Sequence, residues 1–118
     1  MKLILSTHNM PRTEAIEAYI QTRLGKLEHL DHQAVEARVY LEHDHARVPD
    51  KQYKCAVRLG VPGPDLFAEQ WGGELFTAID LAFKKIQEQV RRRREKLTVE
   101  RQNQSARLKR RVQDEQLR

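Results

Sequence analysis

Glu74-Leu-Phe-Thr-Ala-Ile-Asp-Leu-Ala-Phe-Lys-Lys-Ile-Gln-Glu-Gln-Val-Arg-Arg-Arg-Arg-Glu-Lys-Leu97 carries two patterns at once. Leu75, Ile79, Ala82, Phe83, Ile86 and Val90 recur at steps of three and four. At about 100° per residue they share one stripe of a helix. Lys84 and Arg91 fall on one flank of the opposite side, and Lys85, Arg92 and Lys96 on the other. Arg93 and Arg94 rotate back towards the apolar side, so the helix is expected to outrun the core it packs on. Its first half should be fixed to a sheet, and its second half should project as a positive rod.

The chain before this helix supplies the sheet. Lys2 to Thr7 reads as a short strand with both faces partly covered, and His8-Asn-Met-Pro11 breaks it. Thr13 is placed to cap a helix, with Glu14 and Glu17 in the first turn, where negative charge suits the helix dipole. Ile16, Tyr19, Ile20, Leu24 and Leu27 then form an apolar stripe to about His29. Arg23 lies inside that stripe by angle, so its stem should pack while its guanidinium reaches outward. Gly25 costs such a helix about 1 kcal/mol relative to Ala, and the close approach of a neighbour is one reason to place it there.

Val35, Ala37, Val39 and Leu41 alternate with polar residues as a strand with one buried face. Glu42 to Asp50 is a polar hairpin loop, and Tyr53, Cys55, Val57, Leu59 and Val61 alternate again. Val61-Pro-Gly-Pro-Asp65 is a strong turn signal, Leu66 to Trp71 a short fourth strand, and Gly72-Gly73 releases the chain into the helix that begins near Glu74. The order is β-α-β-β-β-α. With one apolar stripe per helix and one apolar sheet face, the expected fold is α+β: a two-layer sandwich, a four-stranded sheet with both helices on one face.

With 118 residues the chain is one domain by length. A 39% hydrophobic content beside 33% charged residues is low for a compact domain, so part of the chain should lie outside the core. Beyond Leu97 the apolar residues thin to Val99, Leu108, Val112 and Leu117 without heptads, so residues 1–97 are read as the domain and 98–118 as a basic, weakly helical or disordered tail. No apolar run approaches the ~18 residues of a membrane span, and the N-terminus is too short in apolar residues for a signal peptide. With a single cysteine, Cys55, the expected setting is a reducing cytoplasm.

Charge is distributed unevenly. Residues 1–83 hold 9 Lys/Arg and 12 Asp/Glu, whereas residues 84–118 hold 13 and 5. A like-sign cluster of this kind repels itself unless a polyanion neutralises it, which makes nucleic acid the first partner to consider. The bland alternative is a solvated charged face. An acidic membrane surface fits less well, because the basic half lacks large exposed apolar residues.

Other chemistry finds little footing. His43-Asp44-His45 beside Glu42 offers two imidazoles at a hairpin tip but no third ligand, so a solvated turn is the expectation and no metal is assigned. Cys55 falls in the buried register of a strand, where a thiol is a small hydrophobe. The glycines flank hairpins rather than forming a phosphate loop, and nothing places Asp65, Glu69 or Asp80 in a cleft. Neither an enzyme, a cofactor nor a small-molecule substrate is expected. The basic set is different: Lys84, Lys85, Arg91, Arg92, Arg93, Arg94 and Lys96 share one long element, with Arg23 and Lys26 on the helix beside it. Adjacent helices presenting such groups can follow a folded phosphate backbone, a mode that reads RNA shape more than sequence.

The first strand, then Thr13 to Glu28, then Val61-Pro-Gly-Pro-Asp-Leu-Phe-Ala68, then Phe76-Thr-Ala-Ile-Asp-Leu-Ala82 and a basic finish resemble the ribosome hibernation-promoting factor family. That family includes the ribosome-associated inhibitor A proteins and has been labelled sigma-54 modulation protein. The likeness covers residues 1–97. It implies a fold similar to a double-stranded-RNA-binding domain. It also implies a cytoplasmic partner, the small ribosomal subunit, bound at the decoding region between head and body, where mRNA and tRNA binding are blocked under stress or in stationary phase. Carried over by position, the rRNA contacts are Arg23 and Lys26, then Lys85, Gln89, Arg92 and Arg93. Lys84 stands where members often have an acidic or amide residue. At this length the short form is expected, without the dimerisation domain of long members and monomeric when free. Its tail, with Arg101, Arg107, Lys109, Arg110 and Arg111, is basic where some inhibitor A proteins end acidic. Charge reversal at Arg92 and Arg93 should abolish ribosome binding and leave the fold intact. Two alternatives remain: a general RNA-binding module acting away from ribosomes, and a protein-interaction module modulating transcription.

Overall fold

Both helices dock through the stripes their periodicity defines. In the computed structural model, which describes the backbone of residues 1–116 and the side chains of 1–106, the elements are β1 (Lys2–His8), α1 (Glu14–Leu30), β2 (Glu36–His43), β3 (Tyr53–Gly60), β4 (Leu66–Gly72) and α2 (Leu75–Gln116). The sheet order is β1-β2-β3-β4, with β1 and β2 parallel and the other pairs antiparallel. This arrangement follows from the connections: α1 carries the chain back to start β2 beside β1, whereas hairpin loops join β2 to β3 and β3 to β4.

Thr13 caps α1, its Oγ1 accepting from the Ile16 N–H at 3.2 Å. Ile16, Ile20, Leu24 and Leu27 of α1 and Ile79, Ala82, Phe83, Ile86 and Val90 of α2 close over Leu5, Ala37, Val39, Leu41, Cys55, Val57, Leu59 and Ala68. Ile20, Ile79 and Ile86 are fully buried, each worth about 2–3 kcal/mol relative to exposure. Gly63 has φ +92°, the left-handed conformation that the turn between β3 and β4 requires, directly after Pro62. The loop between β2 and β3, residues 44–52, contains a 3-10 turn, Pro49–Lys51, and closes through the Asp44 N–H donating to the Gln52 carbonyl.

Three details differ from the expectations. Val35 is 69% exposed: the strand begins only at Glu36, and Ala34 enters the core in its place. Gly25 admits no close neighbour, since a Cβ there would meet nothing within 4 Å. Gly25→Ala should therefore stabilise the protein by about 0.5–1 kcal/mol in a urea melt. Finally, α2 runs past position 97 without a break, and Arg101 lines an open cleft with Asp31, His32 and Gln33. Residues 117 and 118 of the expected tail lie outside the described residues.

Candidate nucleic-acid interface

The two sides of the sandwich differ electrostatically. On the open side of the sheet three ion pairs form: Lys54 with Glu69 at 3.6 Å, Arg58 with Asp65 at 3.7 Å, and Arg38 with Glu36 at 3.3 Å. Arg58 and Lys54 also sit over the rings of Phe67 and Trp71. Asp65 and Glu69 are thus partners of bases, and the third carboxylate considered, Asp80, belongs to the helical side.

There the ten basic and amide residues singled out divide into two groups. Lys26, Lys84, Lys85, Arg91, Arg92 and Lys96 are exposed, and among the described residues none has a carboxylate within 4.0 Å. Lys26 of α1 and Lys84 of α2 line a cleft of about 380 Å³ together with Arg23, Asp80 and Gln87. Lys85, Arg92 and Lys96 continue along the outer flank of α2.

The remaining four have their polar groups engaged within the protein. Arg23 donates to Asp80 Oδ1 at 2.6 Å and to the Tyr19 hydroxyl at 2.9 Å. Its pKa is raised, chiefly by the Tyr19 hydrogen bond and then by Asp80, against the effect of burial. Gln89 closes the free edge of the sheet: its Oε1 accepts from the Phe67 N–H at 3.1 Å and its Nε2 donates to the Phe67 carbonyl at 2.7 Å. Arg94 donates to the Leu30 carbonyl at the end of α1, where a cation also complements the helix dipole.

Arg93 is the most committed. Its guanidinium meets the Asp31 carboxylate at 2.5 Å and donates to Gln33 Oε1 at 2.9 Å and to the Pro62 carbonyl at 3.3 Å. Asp31 is buried at the C-cap of α1, and the Arg93 side chain is only 14% exposed. The helix does not outrun its packing at Arg93 and Arg94; these two residues bolt α2 to the end of α1. Charge reversal at Arg93 would set a second carboxylate against Asp31, so it is not expected to leave the fold intact.

Asp31 was not singled out from the sequence. The available signal was an acidic residue following the last apolar position of α1, combined with the rotation of Arg93 towards the apolar side of α2. Elsewhere, His43 stacks on Tyr53 with ring centroids 4.1 Å apart and lies 3.8 Å from His45. No group of three metal-capable side chains occurs among the described residues. Burial pushes the Cys55 thiol up to about 12, so the thiolate needed of a nucleophile does not form near neutrality. Among the described residues no helix is long and apolar enough to cross a membrane.

The fold and this surface define a class: a small α+β module whose open sheet face carries three ion pairs and whose helical side exposes six basic groups with no carboxylate within 4.0 Å among the described residues. The chain belongs to the family described as sigma 54 modulation protein / S30EA ribosomal protein, whose model matches residues 3–98. It is 31% identical over 88 residues to the ribosome hibernation promotion factor of Deinococcus radiodurans, an alignment covering 75% of this chain and 46% of that protein. It is 33% identical over 98 residues to the protein of the same name from Picosynechococcus sp., covering 81% and 50%. The chain thus spans about half the length of the curated relatives it matches. Among solved structures, the N-terminal domain of protein Y from Thermus thermophilus superposes with a TM-score of 0.66 at 25% identity, covering 78% of this chain and 98% of that one. A ribosomal subunit interface protein from Coxiella burnetii gives 0.69 at 12% identity, covering 80% and 99%, and shows the fold alone.

Proposed function

We propose that this chain is a non-enzymatic ribosome hibernation factor. In this role it binds rRNA of the small subunit at the decoding region, between head and body, and blocks mRNA and tRNA binding under stress or in stationary phase. Residues 1–97 are the ribosome-binding domain and 98–118 a basic extension of it. Support comes from family membership and from two relatives named ribosome hibernation promotion factor. The single observation that carries the mode of binding is the exposed set Lys26, Lys84, Lys85, Arg91, Arg92 and Lys96 on adjacent helices, none of which has a carboxylate within 4.0 Å among the described residues. Six such groups would neutralise several phosphates and position the domain on folded RNA without reading a base sequence. Arg23, Gln89, Arg93 and Arg94 hold the two helices and the sheet edge in the geometry that presents them.

The inhibitory part is tested in a reconstituted translation system with subsaturating mRNA. Added at a small excess over ribosomes, the protein should suppress initiation, and pre-binding of mRNA and initiator tRNA should protect the ribosomes. Equal inhibition whether or not mRNA and tRNA are bound first would place the action elsewhere.

A further inference from the structure

Asp80 is out of place on a surface that should attract phosphate. It lies among Arg23, Lys26, Lys84 and Gln87, where its charge weakens phosphate binding. Part of its role is internal: Oδ1 accepts from the Tyr19 hydroxyl at 2.5 Å and from Arg23 at 2.6 Å. That oxygen has the two donors it can use. Oδ2 has no hydrogen-bond partner among the described residues, and the side chain is 46% exposed in the cleft between α1 and α2. One accepting oxygen of a carboxylate, fixed by its sister atom and flanked by lysines from two helices, is suited to a single O–H or N–H donor set between phosphates.

We propose that the α1–α2 cleft is a nucleotide subsite in which Asp80 Oδ2 accepts from a ribose 2′-hydroxyl while Lys26 and Lys84 take the neighbouring phosphates, so that Asp80 selects RNA over its 2′-deoxy counterpart. This rests on the helical face being the RNA-binding one and adds the chemistry by which it knows RNA. A guanine edge, the other donor-rich candidate, presents two parallel N–H groups and would need both carboxylate oxygens, one of which is already filled. The ribose offers one hydroxyl per nucleotide, next to the phosphate, and it is the group that distinguishes RNA from DNA.

The test compares a short fluorescein-labelled RNA hairpin with the same hairpin carrying 2′-fluoro in place of every 2′-hydroxyl. The fluoro form keeps A-form geometry but cannot donate. By fluorescence anisotropy the wild-type chain should bind the hydroxyl form about tenfold more tightly, the size expected of one hydrogen bond to a charged group. Asp80→Ala should bind both forms alike and bind the fluoro form more tightly than wild type does, because a repelling charge is gone. Asp80→Asn preserves the acceptor that Tyr19 and Arg23 require and turns a donor into the cleft. It should stay folded while its preference falls to about threefold or less, because its Nδ2–H can meet the 2′-hydroxyl oxygen only in a neutral hydrogen bond in place of the charge-assisted one, which covers the case in which the alanine variant does not fold. Equal affinity of the wild type for both hairpins, no binding to either at low salt, or a preference undiminished in the variants would overturn the proposal. Equal affinity accompanied by ribosome binding would overturn it alone and leave the proposed function standing.

Discussion

Arg93→Ala is expected to lower the stability of the protein by about 3 kcal/mol, the usual cost of removing one partner from a buried ion pair. The substitution strands the Asp31 carboxylate, whose side chain is 4% exposed, and leaves Gln33 and the Pro62 carbonyl without their donor. It therefore loosens three segments at once: the end of α1, the start of β2 and the turn between β3 and β4. Urea unfolding followed through Trp71, the single tryptophan, measures the change directly. Pairing the substitution with Asp31→Asn should recover much of the loss, because the stranded charge is then gone. A change below about 1 kcal/mol for Arg93→Ala would mean that the bolt between the helices contributes little.

The largest expected effect on binding is that of Lys85→Glu combined with Arg92→Glu. Both side chains are exposed and have no carboxylate partner among the described residues, so the melting curve should stay within about 0.5 kcal/mol of wild type. Affinity for small ribosomal subunits should nevertheless fall by about 100-fold or more near 0.1 M salt, since two phosphate contacts are lost and two repulsions gained. The slope of log affinity against log salt should become shallower by about 0.7–0.9 for each contact removed. Arg38→Glu, on the open side of the sheet, is the control: that arginine is paired with Glu36 and lies away from the helices, so ribosome binding should be unchanged. An effect of Arg38→Glu as large as that of the double variant would mean that overall charge, rather than the helical face, governs binding.

Much of the fold was legible because periodicity reports which side of an element faces inward. The stripe of α2 from Ile79 to Val90, the stripe of α1, and the alternation of β2 and β3 all arise from burial against a single sheet face. Periodicity does not report where an element begins. Val35 fits the alternation of β2, yet it precedes the strand and is exposed. Nor can it report partners. Arg93 and Asp31 are 62 residues apart, and Gln89 and Phe67 are 22 apart, so their pairing depends on the docking of α2 against α1 and β4. A run of four arginines looks uniform in sequence, whereas in the folded chain Arg91 and Arg92 face solvent and Arg93 and Arg94 hold the helices together. The candidate site was thus legible as a charge and a helix, but not in its division between residues that shape the surface and residues free to meet a ligand.

The most direct test of ribosome binding through this face is sedimentation of the purified chain with isolated small and large ribosomal subunits through sucrose gradients over a salt series. The chain should travel with the small subunit at low salt, leave it steeply as salt rises, and remain absent from the large-subunit fractions. A chain that stays at the top of the gradient at the lowest salt, or that distributes equally between the two subunits, would contradict the proposal that it is a small-subunit-binding protein.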